Sequence, residues 1–176
     1  ECHMPSQIYM GVDARRDHSI RIPRPDISLS IGSPNACTQC HEDKSDAWAY
    51  DVLQRWGVNG RFTDLSLAKA RHSADRGDMR ALPTLESVVT DNSQSDLMRA
   101  SIIEQLGNLG SRQLPNAAAM LLRSDSPVLR ASAVRALRGV EPVQRYLMLR
   151  PFIRDRSLSV RMEVAQLLAG IPASEL

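Results

Sequence analysis

A shift of 31 residues lays the second half of this chain on itself. Arg99, Arg130 and Arg161 superpose, as do Ile102, Ala133 and Val164. So do Ile103, Val134 and Ala165; Leu106, Leu137 and Leu168; and Leu109, Val140 and Ile171. One amphipathic helix is thus written three times, its apolar stripe kept at helical spacing. An apolar segment precedes each copy: Leu82 to Val89, Ala117 to Leu122 and Tyr146 to Ile153. The turns between them are Asp91-Asn92-Ser93, Ser124-Asp125-Ser126-Pro127 and Arg154-Asp155-Arg156-Ser157. The unit is helix, turn, helix. Such units cannot bury their apolar faces singly, so they stack on one another. The repeated arginine is expected to be structural, reaching turn carbonyls or an acidic side chain of a neighbouring unit.

The expected fold class is mainly α, with an irregular N-terminal segment followed by an α-solenoid of three helix pairs. Aromatic residues make up only 4% of the 176, so Ala, Leu, Val and Ile must fill the core. Basic residues are mixed with acidic ones at a net charge of +2, which leaves no nucleic-acid footprint. No run of 18 apolar residues is present to span a membrane. The chain opens at Glu1 without a methionine or an export signal.

Three regions are expected: a cofactor-binding segment over 1–57, a connector over 58–80 and the helical repeats over 81–176. In the first, Pro5, Gly11, Pro23, Pro25, Gly32 and Pro34 forbid a long helix over 1–36, so an irregular, extended course is expected. Residues before proline are pushed out of the helical region, so Arg21 to Pro25 reads as extended. Ser45 to Trp56 reads as an amphipathic helix capped by Ser45 and stopped at Gly57. Its Trp48, Val52 and Trp56 share a face with Ala49 and Leu53, and both tryptophans are expected to pack. The connector is expected to hold a short helix from Asp64 to Ala74 that carries His72.

The chemistry lies in Cys37-Thr38-Gln39-Cys40-His41. Two cysteines separated by two residues and followed at once by histidine form the attachment signature of a c-type haem. Cys37 and Cys40 are expected to supply the thioethers and His41 the proximal iron ligand, and the haem edge is one candidate surface for Trp48 and Trp56. The odd third cysteine, Cys2, is followed by His3. The expectation is a second haem motif with its first cysteine two residues before Glu1. Cys2 would then be its thioether residue and His3 its proximal ligand.

The two remaining histidines, His18 and His72, are the candidate distal ligands, and two irons would need two. Met4 and Met10 are competing axial ligands. Irons ligated on both faces exchange electrons without an open site for substrate, which points to a carrier rather than a catalyst. An iron with one open face would instead serve an oxidoreductase. Arg15, Arg16, Arg21 and Arg24 form either a solvated cluster or partners for haem propionates. A different chemistry takes Cys2, Cys37, Cys40 and His41 as a tetrahedral zinc set in a protein-binding repeat protein.

The helix pairs resemble HEAT-type, armadillo-like repeats in a compact form. The run Cys2-His3-Met4-Pro5, with Tyr9-Met10, Arg15-Arg16-Asp17-His18-Ser19, Arg21 to Asp26 and Pro34 to His41, resembles bacterial multihaem c-type cytochromes. It is most similar to those fused to HEAT and tetratricopeptide repeats. The Cys-His-Met-Pro run and the Asp-His are also similar to the wider group of ammonia-forming nitrite reductases and hydroxylamine oxidoreductase. The resemblance implies a periplasmic or otherwise exported electron-transfer protein with haem c, more haems upstream and tetratricopeptide repeats downstream. It implies redox partner proteins and protein–protein contacts through the repeats. A catalytic haem motif ending in lysine is missing, so nitrite reduction is not expected. The alternative function, should one haem keep an open position, is part of a multihaem oxidoreductase acting on a small nitrogen or sulfur compound.

Overall fold

The computed structural model describes residues 4–18, 22–57 and 65–172, and it is mainly helical. Two compact units divide it, residues 1–69 and 70–176. The division falls within the expected connector.

The first unit departs from the expected irregular course. Strands β1 (Ser6–Tyr9) and β2 (Asp13–Arg16) pair antiparallel, with Ser6 opposite Arg16 and Tyr9 opposite Asp13. Met10 and Gly11 turn the chain with φ of 53° and 76°. Glycine adopts that region without cost, whereas Met10 there carries roughly 1–2 kcal/mol of strain. A short helix, α1 (Pro25–Ile31), follows. Proline did not prevent it because Pro25 sits in the first turn, where its missing N–H has no partner to lose. Gly32 ends α1 in the left-handed region, its N–H donating to the Ser28 carbonyl at 2.8 Å.

Helix α2 (Asp46–Arg55) packs on α1. Ser45 caps it as expected, Oγ accepting from the Trp48 N–H at 3.2 Å. It buries Ala49 and Leu53. Of the two tryptophans, Trp48 is half-buried by protein and Trp56 is 74% exposed. Trp56 is the C-cap, past the last turn of the buried stripe, and Gly57 follows at a φ of 75°.

Helix α3 (Ser66–Ala74) carries His72 as expected and starts within the predicted span. Asp64 lies outside the described residues. The second unit then holds α4 (Leu82–Thr90), α5 (Asp96–Asn108), α6 (Leu114–Leu121), α7 (Pro127–Ala136), α8 (Pro142–Leu149) and α9 (Leu158–Ala169). Prolines open α4, α6, α7 and α8 in their first turns. This explains why α6 and α8 begin earlier than the apolar segments alone suggest. Ser95 caps α5 and Glu141 caps α8 through their side chains.

Consecutive helices pack as α4 with α5, α6 with α7 and α8 with α9, while α7 packs on both α5 and α9. The core lies along these contacts. Leu85, Ile102, Ile103, Leu106, Leu121, Leu129, Leu137 and Leu149 are fully buried. Each contributes about 1.5–3 kcal/mol relative to exposure. Ile102, Ala133 and Val164, superposed by the 31-residue shift, are all at 0% exposure. In the third copy Ala165 is exposed and Leu168 half-buried. Helices α5 and α7 approach so closely at Gly107 that a Cβ there would lie 2.6 Å from the Ala136 carbonyl oxygen.

The repeated arginines do the expected structural work. Arg99 Nε donates to the Val89 carbonyl at 2.9 Å. Arg130 donates to the Ser124 and Asp125 carbonyls and forks onto Asp155, both carboxylate contacts being 2.9 Å. Arg161 donates to the Asp155 carbonyl at 2.7 Å. Arg130 and Arg161 tie their helices to turns, Arg99 ties α5 to the end of α4, and Arg130 also joins consecutive helix pairs.

Candidate cofactor site

Cys37 to His41 is wound into a hydrogen-bonded turn. The Gln39 N–H donates to the Asn35 carbonyl at 3.2 Å, and the His41 N–H to the Cys37 carbonyl at 2.9 Å. The Cys40 N–H shares that Cys37 carbonyl at 3.2 Å. These are helical bonds, and they bring positions i, i+3 and i+4 to one side. Cys37, Cys40 and His41 therefore share a face. Cys40 is a free, exposed thiol, His41 is exposed and Cys37 is half-buried.

Asn35 holds this turn from beneath, at 6% exposure. Its Oδ1 accepts from the Cys37 N–H at 2.9 Å, and its Nδ2 donates to Asp46 Oδ1 at 3.1 Å. Its carbonyl also accepts from Thr38 Oγ1 at 3.3 Å. The attachment turn is thus clasped to the first residue of α2. Beyond His41, the Lys44 N–H donates back to the His41 carbonyl at 3.0 Å, and Ser45 starts the helix. The His41 and Trp48 rings lie 5.0 Å apart between centroids, tilted by 58°. That is within the range of favourable aromatic pairs.

One exposed and one half-buried cysteine with an adjacent exposed imidazole, on one side of a held turn, are a set that fits a covalently attached haem. The surroundings fit it as well. Ile8, Tyr9, Met10, Val12, Ile22, Leu29 and Trp56 are large apolar side chains left on the surface of this unit. A flat apolar cofactor is the kind of group such side chains would cover.

The other expected ligands are placed as follows. Cys2 and His3 lie outside the described residues. His18 is exposed just after β2, and Met10 is exposed at the hairpin turn. Met4 is half-buried, its carbonyl accepting from Arg16 at 3.3 Å. His72 is half-buried on α3 and belongs to the second unit. Among the described residues no three His, Cys, Asp or Glu side chains group around a common centre.

The arginine cluster is internally engaged. Arg24 forks onto the buried Asp26 at 2.6–3.1 Å, and this carboxylate raises the guanidinium pKa further. Arg15 bonds Asp13 at 3.0 Å and lies 5.1 Å over the Tyr9 ring. Arg21 lies outside the described residues.

Two features escaped the sequence reading. One is the Asn35 clasp, whose signal was an asparagine in an Asx position two residues before Cys37. The other is Arg135, which bridges Glu104 at 2.6 Å and Glu163 at 2.9 Å and so links α5, α7 and α9. Glu104 stands 31 residues before it, an opposite charge at the repeat spacing. An open groove of about 410 Å³ beside this bridge is lined by Glu104, Gly107, Asn108, Arg135 and Arg138.

Compared with protein-family models, with curated proteins and with solved structures, the chain gives no match.

Proposed function

We propose that this chain is an electron-transfer module of a multihaem c-type cytochrome, joined to an α-solenoid of three HEAT-like helix pairs that binds other proteins. The observation that carries the reading is the Cys37-Thr38-Gln39-Cys40-His41 turn, with both cysteines and the histidine on one face. When bound, haem c supplies a one-electron couple at its iron. Cys37 and Cys40 would hold the group covalently, and His41 would ligate its iron from the protein side. Asn35 keeps the turn wound, and the apolar side chains of the hairpin and α1 would exclude water. His18 and His72 remain the candidates for the opposite face. Cys2 and His3 belong to a second such motif in this reading.

The solenoid is supported by the packing of α7 on both α5 and α9 and by the arginines repeated at the turns. Its role is to engage redox partners or neighbours in an assembly. Covalent attachment of haem requires an exported chain, so the proposed location is the periplasm or outside it.

Production in a host with haem-attachment machinery, followed by a pyridine haemochrome assay on denatured protein, tests the reading. Haem that stays bound on denaturation in the wild type and is lost in the double variant Cys37→Ser, Cys40→Ser is the expected result. Zinc in stoichiometric amount with no covalent haem would overturn it. Rapid carbon monoxide binding by the reduced protein would replace the carrier with an oxidoreductase that keeps an open iron face.

A further inference from the structure

Helix α2 carries a residue toward the attachment turn that the motif itself does not include. Trp48 stands in its first turn, with its N–H fixed on Ser45 Oγ at 3.2 Å. One residue-pair contact away, its indole meets His41 at 5.0 Å. Both partners have fixed backbones: the Asn35–Asp46 hydrogen bond joins the turn to the same end of α2 at 3.1 Å. Trp56, two turns further on, is exposed and is not paired with a ring among the described residues.

We infer that Trp48 is a positioning residue for the His41 imidazole, setting its ring orientation and covering one side of it from water. The inference rests on the reading of His41 as a haem ligand. An indole packed at 58° to the imidazole restricts rotation of that ring about its bond to Cβ. An apolar wall beside an iron ligand also disfavours the extra positive charge of the oxidised state. Removing the indole therefore lowers the midpoint potential while leaving attachment intact, because the thioether chemistry belongs to Cys37 and Cys40.

The test compares wild type, Trp48→Ala and Trp48→Phe as haem-loaded proteins, reading haem content and midpoint potential. The expected result is full haem content in all three, a downward shift of the potential in Trp48→Ala and recovery of most of that shift in Trp48→Phe. A Trp48→Ala protein with full haem and the wild-type potential would overturn the inference. If Trp48→Ala does not fold, Trp48→Gln keeps side-chain bulk without an apolar wall or a ring and is read against the same two outcomes. Failure of the underlying reading is distinguishable, because wild type would then carry no covalent haem at all.

Discussion

The two units of this chain solve the problem of burial in opposite ways. Residues 70–176 build a hydrocarbon core from a short sequence used three times, with twelve large side chains from Leu85 to Val164 almost fully enclosed. Residues 1–69 bury Pro25, Ala49 and Leu53 as their apolar residues among those described, and leave Ile8, Tyr9, Met10 and Val12 exposed. What holds the first unit is polar: the Asn35 clasp, the Arg24–Asp26 fork and the Ser45 cap. An isolated two-stranded hairpin is marginal in water on its own. The contrast teaches that the first unit leaves its apolar surface open, and the proposed cofactor is the group that would cover it.

The largest effect expected sharpens that contrast. The double variant Cys37→Ser, Cys40→Ser should lose all covalent haem at this motif, yet the heat-induced loss of helical circular dichroism from the second unit should keep its midpoint. A fall in that midpoint would mean that the two regions are not independent in the way described.

Next in size is Arg130→Ala. It removes the cationic partner of the Asp155 carboxylate, whose side chain is 7% exposed and whose pKa is lowered first of all by the Arg130 hydrogen bonds, and leaves it only the Ser157 N–H. Breaking a buried pair from one side costs about 3–5 kcal/mol, measurable by urea unfolding. Arg130→Met with Asp155→Leu should recover part of it, since two apolar groups leave no buried charge but do not replace the hydrogen bonds to the Ser124 and Asp125 carbonyls and from the Ser157 N–H. Arg99→Ala should cost less, about 1–3 kcal/mol, because it orphans only the Val89 carbonyl.

Gly107→Ala tests the close approach of α5 and α7. A Cβ 2.6 Å from the Ala136 oxygen forces the helices apart, for a loss of about 1–3 kcal/mol. At the exposed Gly32, Gly→Ala should act instead through its φ of 72°, and leave the second unit untouched.

The smallest effect is that of pH. Asp155 titrates below its unfolded value of about 3.9, so the stability it contributes is fully present above that pH. It is lost as the pH falls through the lowered folded value. Urea midpoints of the second unit should therefore hold steady from neutrality to about pH 5 and decline below about pH 4, less steeply in Asp155→Asn.

Much of the second unit was legible because one period carried several independent signals at once. The apolar stripe, the turn residues and the arginine all recur at 31 residues. The arginine's partners followed from burial, since a guanidinium enclosed beside a turn must satisfy its donors on carbonyls. The first unit was legible only as chemistry. Its cysteines and histidine could be named, but the hairpin could not, because β1 and β2 have every side chain exposed and so carry no buried face to impose alternation. Helix α1 was hidden by the prolines, which break a helix interior yet favour its first turn. Trp56 is the C-cap, where helical periodicity no longer dictates which side of the helix a side chain covers.

The central claim is that the first unit is completed by a covalently held cofactor and the second is not. Amide hydrogen exchange of the haem-free and haem-loaded protein, resolved by peptide, tests it most directly. The account predicts that protection over 4–57 rises on loading while protection over α4 to α9 is the same in both forms. Equal protection of 4–57 with and without haem would contradict it.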